Sequence, residues 1–145
     1  MISYVTVGVR DIKKSRAFYG AIFAKLNPDI TELFEIPGKD KETQEDGVVE
    51  VIYGDKARPD APLFALIRPF NGEPATHGNG TMVAFPAANE DIVKDVHAEA
   101  LRLGGRNEGD PGIRSDEGIG WKLYLAYFRD LDQNKIAIAN IEALK

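Results

Sequence analysis

The stretch that decides the fold is ISYVTVGVRD, residues 2–11, together with the amphipathic run that follows it to Leu26. Valines alternate with other residues along the first eight positions, and this period of two predicts a β-strand with one uniformly apolar face. Asp11 stands where an N-cap residue would accept bonds from the free N–H groups of a helix. Apolar residues then recur at helical spacing until Asn27-Pro28 ends the run. The sequence therefore predicts a strand, a tight turn and a helix.

A similar unit returns about halfway along the chain. The stretch TMVAFP, residues 81–86, predicts another strand, and Asn89 is placed to cap a second amphipathic helix that runs to Leu103. Tyr4 and Met82 occupy the same place in the two copies. Three further strands are predicted in each half, so the pattern of one strand, one helix and three strands is given twice. Such self-similarity indicates an internal duplication.

This duplication predicts an α+β fold of two tandem βαβββ modules, residues about 1–70 and about 80–145, in a single domain that spans 1–145. If each helix covers one face of its strands, the other faces can curve together. The result is an incompletely closed eight-stranded mixed sheet around a cavity, a concave surface of the kind that binds small molecules. Residues 106–120 must then contain a short strand, and residues 39–47 are predicted to form a solvated hairpin loop.

The composition limits the classes of function. The chain has 145 residues, of which 43% are hydrophobic and 28% charged, as in a soluble globular domain. The formal net charge of −5 lacks the basic excess that binding to nucleic acid requires. There is no cysteine, which removes disulfides and thiolate chemistry. The sequence shows no signal-peptide pattern and no apolar stretch near the ~20 residues of a membrane helix. We therefore expect a cytoplasmic protein with neither nucleic acid nor membrane as a partner.

Five stretches, taken together and in this order, resemble the vicinal oxygen chelate superfamily. This superfamily includes glyoxalase I, bleomycin-resistance and fosfomycin-resistance proteins, methylmalonyl-CoA epimerase and extradiol dioxygenases. The stretches are SYVTVGV at 3–9, SRAFY at 15–19, RPF at 68–70, GNGTMVAF at 78–85 and YFRDLDQNKI at 127–136. The resemblance implies paired βαβββ modules and, commonly, a homodimer.

The resemblance also implies where a divalent metal would be bound. Family enzymes hold the metal with histidine, glutamine and glutamate side chains on the inner strands. The corresponding positions here are Tyr4, Met82 and Ala137, and a fourth lies in the strand at 63–67, which contains no acid, amide or histidine. Hard and borderline divalent metals need oxygen or imidazole ligands. We therefore expect no metal ligand, no other cofactor and no catalytic residue from the family's set.

Neither histidine is expected to supply a metal site. His97 falls on the second predicted helix among apolar residues, where a partly buried structural role is favoured. His77 falls in the loop before Gly78, where a solvated position is favoured over one at the mouth of the cavity.

Without the charged ligands, the inner face becomes more apolar. We predict that it binds a small, partly apolar molecule in the cavity between the modules, with Tyr4 supplying a hydroxyl and a ring and Met82 an adaptable wall. The alternative is that the aromatic side chains fill the core. The predicted ligand-binding residues are Tyr4, Met82, Trp121, Tyr124, Arg68 and Ala137.

Several charged residues keep two interpretations. Arg68 and Arg114 can pair with an anionic group of a ligand, although a surface or structural role is favoured for each. Glu50 is either an acid of the cavity or part of an exposed strand face. Asp130 and Asp132 have the pattern of a turn and not of a catalytic pair.

Other functions stay open at this stage. One is a metalloenzyme that resembles a lactoylglutathione lyase or a dioxygenase, against which the substituted ligand positions argue. Another is a metal-independent enzyme in which Tyr4 or Glu50 performs acid–base catalysis. The third is a module with a purely structural or partner-binding role.

Overall fold

The fold follows the predicted order of elements. A computed structural model describes residues 1–38, 47–115 and 117–144, without the side chain of Glu117. The first half contains β1 (Tyr4–Gly8), α1 (Ile12–Leu26), β2 (Ile30–Pro37), β3 (Val48–Asp55) and β4 (Leu63–Ile67). The second half contains β5 (Val83–Pro86), α2 (Glu90–Arg102), β6 (Arg106–Ile113), β7 (Trp121–Arg129) and β8 (Lys135–Ala143), with a short 3-10 helix at Glu117–Ile119.

These elements confirm the duplicated pattern, including the strand predicted within residues 106–120. The hairpin loop predicted for residues 39–47 lies outside the described residues, apart from Gly47. Neither helix of the described chain has the length and apolar character needed to cross a bilayer.

The chain divides into two compact units, Met1–His77 and Gly78–Lys145, which we call module one and module two. In the described residues, each unit contains one α-helix and one four-stranded mixed sheet, with strand orders β1-β4-β3-β2 and β5-β8-β7-β6. In each sheet the first strand runs parallel to its neighbour and the remaining pairs are antiparallel. The eight predicted strands thus form two open sheets of identical topology.

Aromatic side chains hold α1 on the sheet of module one. Tyr19 and Phe23 lie 5.0 and 5.7 Å from Phe64, measured between ring centroids, and Phe23 lies 5.1 Å from Tyr53. All four side chains are buried. Aromatic pairs at such separations stabilise a core beyond the area they bury. Asp11 caps the helix as predicted, because its side chain accepts a bond from the Lys14 N–H at 3.0 Å.

A buried histidine fixes α2 on the sheet of module two. The Nε2 atom of His97 lies 3.1 Å from Asn107 Oδ1 on β6 and 3.2 Å from the Tyr127 carbonyl oxygen on β7. Because a carbonyl oxygen can only accept, Nε2 carries the proton and donates. The predicted structural role of His97 is confirmed. Asn89 caps α2 as predicted, accepting from the Ile92 N–H at 2.9 Å.

The turn between β7 and β8 is built on one buried carboxylate. Asp130 accepts bonds from the backbone N–H groups of Asp132 and Asn134 at 2.8 and 2.9 Å, and from the Asn134 side chain at 2.9 Å. Gln133 follows with a φ of 69°, a left-handed conformation that this network maintains. The prediction that Asp130 forms a turn is confirmed.

Each sheet has a face that packs on its helix and a second face, which we call the open face. Side chains alternate between the two faces along a strand. In β1, Val7 is buried, whereas Tyr4 and Thr6 are exposed. The same alternation in β5 leaves Ala84 and Pro86 more exposed than Val83 and Phe85. The open faces are therefore the faces that do not pack on a helix.

Tyr53 makes the stability of module one sensitive to alkaline pH. Its hydroxyl donates to the Arg16 carbonyl oxygen at 3.3 Å, and burial, with a smaller effect of the Glu32 charge, raises its pKa to about 12. A pKa raised on folding stabilises the protein below the unfolded pKa of ~10, and this contribution falls as pH rises from 10 to 12. We expect Tyr53→Phe to remove on the order of 1 kcal/mol of that pH-dependent loss by pH 11. Urea unfolding at pH 8 to 11 measures it.

Tyr4→Phe is the matched control, since Tyr4 is 64% exposed. Its unfolding free energy should keep the wild-type dependence on pH. Equal alkaline slopes for wild type and Tyr53→Phe would contradict the prediction.

Candidate functional site

The open face of module one contains a shallow depression of about 170 Å³. It is lined by side chains from all four strands of the sheet. These residues are Tyr4, Phe34, Ile36, Glu50, Ile52, Leu63 and Ala65. The lining is apolar except for the Tyr4 hydroxyl and the Glu50 carboxylate, so apolar contact dominates what this surface can offer a ligand.

Strand register brings these residues together. Tyr4 is paired with Leu63, Ile52 with Ala65, and Ile36 with Glu50. Because directly paired residues project to the same side of a sheet, all of them reach the open face. A bulge between Glu32 and Phe34 sets the register of β2 and places Phe34 opposite Ile52. Ala65 has the smallest side chain of the lining residues, and this leaves space between its larger neighbours.

Of the two site residues predicted in module one, Tyr4 and Arg68, one lines the depression and the other does not. Tyr4 lines the depression, with 64% of its surface exposed. Arg68 follows the end of β4, where its N–H donates to the Val49 carbonyl oxygen at 2.9 Å. Arg68 is not among the lining residues. Glu50, which kept two interpretations from the sequence, does line the depression.

The predicted residues of module two lie on both faces of its sheet. Trp121, at the start of β7, is 49% exposed, and Met82, just before β5, is 44% exposed. Ala137 is fully buried and packs with Leu125 and Ala139. Tyr124 lies on the opposite face from Trp121, where Lys94 Nζ of α2 is 5.9 Å from its ring centroid. The structure therefore separates Tyr124 from the other three.

Sequence reasoning missed most of the depression. Phe34 and Ile36 of β2 and Ile52 of β3 carry the apolar side of it, and none of them is among the site residues predicted from the sequence. The sequence did contain a signal for part of this group. Phe34 and Ile36 alternate with Glu35, and this period of two predicts that both side chains lie on one face of β2. A second group lies in module two, where Lys135 Nζ and Arg114 Cζ are 5.4 and 5.6 Å from the ring centroid of Tyr127. Of these three residues, only Arg114 was a candidate from the sequence.

The fold and part of the sequence are shared with solved structures. A glyoxalase/bleomycin resistance protein from Albidiferax ferrireducens T118 is 35% identical, with a TM-score of 0.76, over 97% of this chain and 98% of that one. This chain belongs to the glyoxalase/bleomycin resistance protein family. The resemblance to the vicinal oxygen chelate superfamily is thereby confirmed. No protein-family model matches the chain, and neither does any curated protein.

More distant structures show the same fold. A glyoxalase-related enzyme from Fulvimarina pelagi is 17% identical with a TM-score of 0.65, over 97% of this chain and 87% of that one. A lactoylglutathione lyase from Agrobacterium tumefaciens is 16% identical with a TM-score of 0.59, over 97% and 92%. At these identities the likeness extends to the fold and not to the activity.

The donor set of this chain does not fit the divalent metal that the family implies. Thr6 of β1 is paired with Ala65 in module one, and Ala84 of β5 is paired with Ala137 in module two, so Ala65 and Ala137 occupy equivalent places in the two sheets. A methyl group cannot coordinate a metal. Of the other two family positions, Met82 offers only a soft thioether, and Tyr4 a phenol. Among the described residues, no three His, Asp or Glu side chains are grouped to hold a metal ion.

We expect the purified protein to hold no stoichiometric nickel, zinc or iron. After incubation with each ion and dialysis, mass spectrometry of metals should find less than about 0.1 ion per chain, because an apolar or thioether donor set binds hard and borderline ions poorly. About one retained ion per chain would contradict this prediction. Denatured protein treated in the same way is the control for non-specific retention.

Proposed function

We propose that this family member binds a small, partly apolar molecule in the depression of module one, without a divalent metal as an intermediary. The observation that carries the proposal is the apolar lining of the depression on the open face, where Tyr4 stands at a position to which the resemblance assigns a metal ligand. The resemblance implies that enzymes of this family carry their metal ligands on the same inner strands. Here those strands offer contact area and two polar groups.

The size of the depression limits the ligand. Sites for drug-sized molecules have volumes of ~300–1,000 Å³, whereas the depression has about 170 Å³. A compound with one or two fused rings fits this space better than a large antibiotic. Aromatic and aliphatic walls from Tyr4, Phe34 and Ile52 would cover its faces, since offset and edge contacts between rings are favourable.

The charge of the depression limits the ligand further. Glu50 is its charged lining residue, and a carboxylate can only accept hydrogen bonds. A ligand with an O–H or N–H group would be oriented by Glu50, and the Tyr4 hydroxyl can donate or accept. A ligand anion would be repelled at the same place. The proposed ligand class is therefore a neutral or cationic ring compound with a hydrogen-bond donor.

The remaining predicted residues divide by face. Met82 and Trp121 stay candidates for contact on the open face of module two, on the strength of the family resemblance. Tyr124 is left out because its ring faces Lys94 of α2. Arg68 is left out because it lies beyond the lining of the depression.

Filling the floor of the depression should abolish binding. We expect 2-naphthol, indole or p-cresol to bind the wild-type protein in ligand-observed NMR and calorimetry. Ala65→Leu adds three carbon atoms at the floor and should weaken binding at least tenfold, a change of ~1.4 kcal/mol. Ala24→Leu is the matched control, because Ala24 is exposed on α1. Its affinity should equal that of wild type.

Two results would contradict the proposed site. One is equal affinity of Ala65→Leu and Ala24→Leu for the same probe. The other is the absence of binding by all three probes to wild-type protein. Circular dichroism of both variants establishes that the comparison is made between folded proteins.

We further propose that the protein is a homodimer, as the family resemblance implies. Three neighbouring apolar side chains of β2 support this: Leu33, Phe34 and Ile36 are 44%, 51% and 41% exposed. Contiguous exposed apolar side chains of this kind mark interaction surfaces more often than scattered ones do. Two-fold dimers are also the commonest soluble oligomers.

Light scattering after size exclusion should give a mass of about 32 kDa, twice the 15.9 kDa of one chain. Phe34→Ser should shift the population towards the monomer, because it removes apolar contact area from β2. Phe70→Ser is the matched control, since Phe70 is fully exposed in the loop after β4. A wild-type mass near that of one chain at micromolar concentration would overturn the proposal.

A further inference from the structure

Three basic residues stand side by side across the sheet of module two. Arg106 of β6 is the register partner of Arg129 of β7, which is also the partner of Lys135 of β8. We call these three residues the cationic row. Directly paired residues project to the same face with their Cβ atoms ~4.5–5.5 Å apart, and like charges so placed destabilise a sheet. A chain of net charge −5 has no general excess of basic residues that would account for the row.

One carboxylate balances part of this charge. Glu108 lies in the bulge between Asn107 and Gly109, and its Oε1 accepts from Arg129 Nε and Arg106 Nη2, each at 3.0 Å. These two arginines, Arg129 foremost, lower the pKa of Glu108 below its ordinary value. Glu108 is therefore ionised at neutral pH and offsets one of the three positive charges. Lys135 makes no ion pair with any described side chain.

A further cation and an aromatic ring extend the row along the open face. Tyr127 lies two residues before Arg129 and on the same face of β7. Lys135 Nζ and Arg114 Cζ are 5.4 and 5.6 Å from the centroid of its ring. Both distances are within the ~6 Å of a cation–π contact. Arg114 also donates to the Asp110 carbonyl oxygen, while the Asp110 carboxylate accepts from Asn107 Nδ2 at 2.7 Å.

Two glycines of β6 make room for this arrangement. A Cβ atom on Gly109 would lie 2.7 Å from Tyr127 Cδ2, and one on Gly112 would lie 2.8 Å from Arg114 Nη1. Any larger residue would displace the ring or the guanidinium. On the opposite side of the sheet, the bond from His97 to the Tyr127 carbonyl oxygen fixes the backbone beneath the ring. The basic groups are thus held in place around Tyr127.

We propose that this surface of module two binds a small organic anion, with a carboxylate or a phosphate group held by Lys135 and Arg114 beside the Tyr127 ring. The guanidinium supplies the N–H donors that it does not give to the Asp110 and Ile113 carbonyl oxygens, and the ammonium supplies a compact positive charge. The aromatic ring offers its edge or the remaining part of its face to the carbon body of the ligand. Binding an anion here also relieves the repulsion within the cationic row.

This site does not depend on the depression of module one, and its ligand chemistry is the opposite. Glu50 disfavours an anion in the depression, whereas the residues around Tyr127 attract one. The two sites can therefore be tested with different probes. Ala65→Leu should leave anion binding unchanged, so a failure of one proposal is distinguishable from a failure of the other.

The test is a titration of the full chain with benzoate, phenyl phosphate and neutral benzamide at low ionic strength. NMR and calorimetry measure the binding of each compound. We expect at least one anion to bind at least tenfold more tightly than benzamide and to shift the amide signals of β7 and β8. The tighter of the two anions identifies the group as carboxylate or phosphate. Lys135→Met should weaken that anion about tenfold, since it removes one charge and keeps most of the side-chain length.

Matched variants separate the proposal from a general effect of charge. Lys25→Met removes the same charge from an exposed position on α1 and should leave the affinity unchanged. Tyr127→Phe keeps the ring and should keep the affinity, whereas Tyr127→Leu should reduce it. Equal binding of benzamide and both anions would overturn the proposal, as would equal losses for Lys135→Met and Lys25→Met.

Discussion

Each sheet of this protein packs on one α-helix in the part of the chain that the structure describes, and one helix can cover only one face. That constraint governs the rest of the structure, because side chains of a regular strand alternate between the two faces. The face beneath α1 carries large aromatic residues such as Tyr53 and Phe64, whose burial contributes to the driving force for folding. The residues that alternate with these aromatic residues on the same strands project to the other face. They do not pack on the helix, and in module one several of them line the depression.

The part of the fold that could be predicted from the sequence is the part written in local patterns. Alternating valines predict β1, and the capping residues Asp11 and Asn89 predict where the two helices begin. The duplication predicts β6, although the local sequence pattern of that strand is weak. The depression could not be predicted in the same way. Its members come together through the pairing of strands, and the bulge in β2 that brings Phe34 opposite Ile52 leaves no clear mark in the sequence.

The placement of Trp121 and Tyr124 on opposite faces of β7 could have been predicted from the sequence. Both were predicted as aromatic lining because both lie on one strong strand. They are three positions apart, an odd number, so a regular strand must place them on opposite faces. The sequence contained this information. Proximity along the chain was the weaker guide, and strand periodicity was the stronger one.

The duplicated topology also explains how an acidic chain can contain a positive surface. Arg106, Arg129 and Lys135 are scattered along the sequence among acidic residues, and only the pairing of β6, β7 and β8 lines them up. In module one the corresponding open face carries Glu50 instead. Folding requires similar helix-facing residues in the two modules, but it places no such requirement on the open faces. The two copies have therefore kept one topology while their open faces differ in charge. Ala65 and Ala137 occupy equivalent positions on the open faces of the two modules, and a change at such a position leaves the helix-facing residues in place.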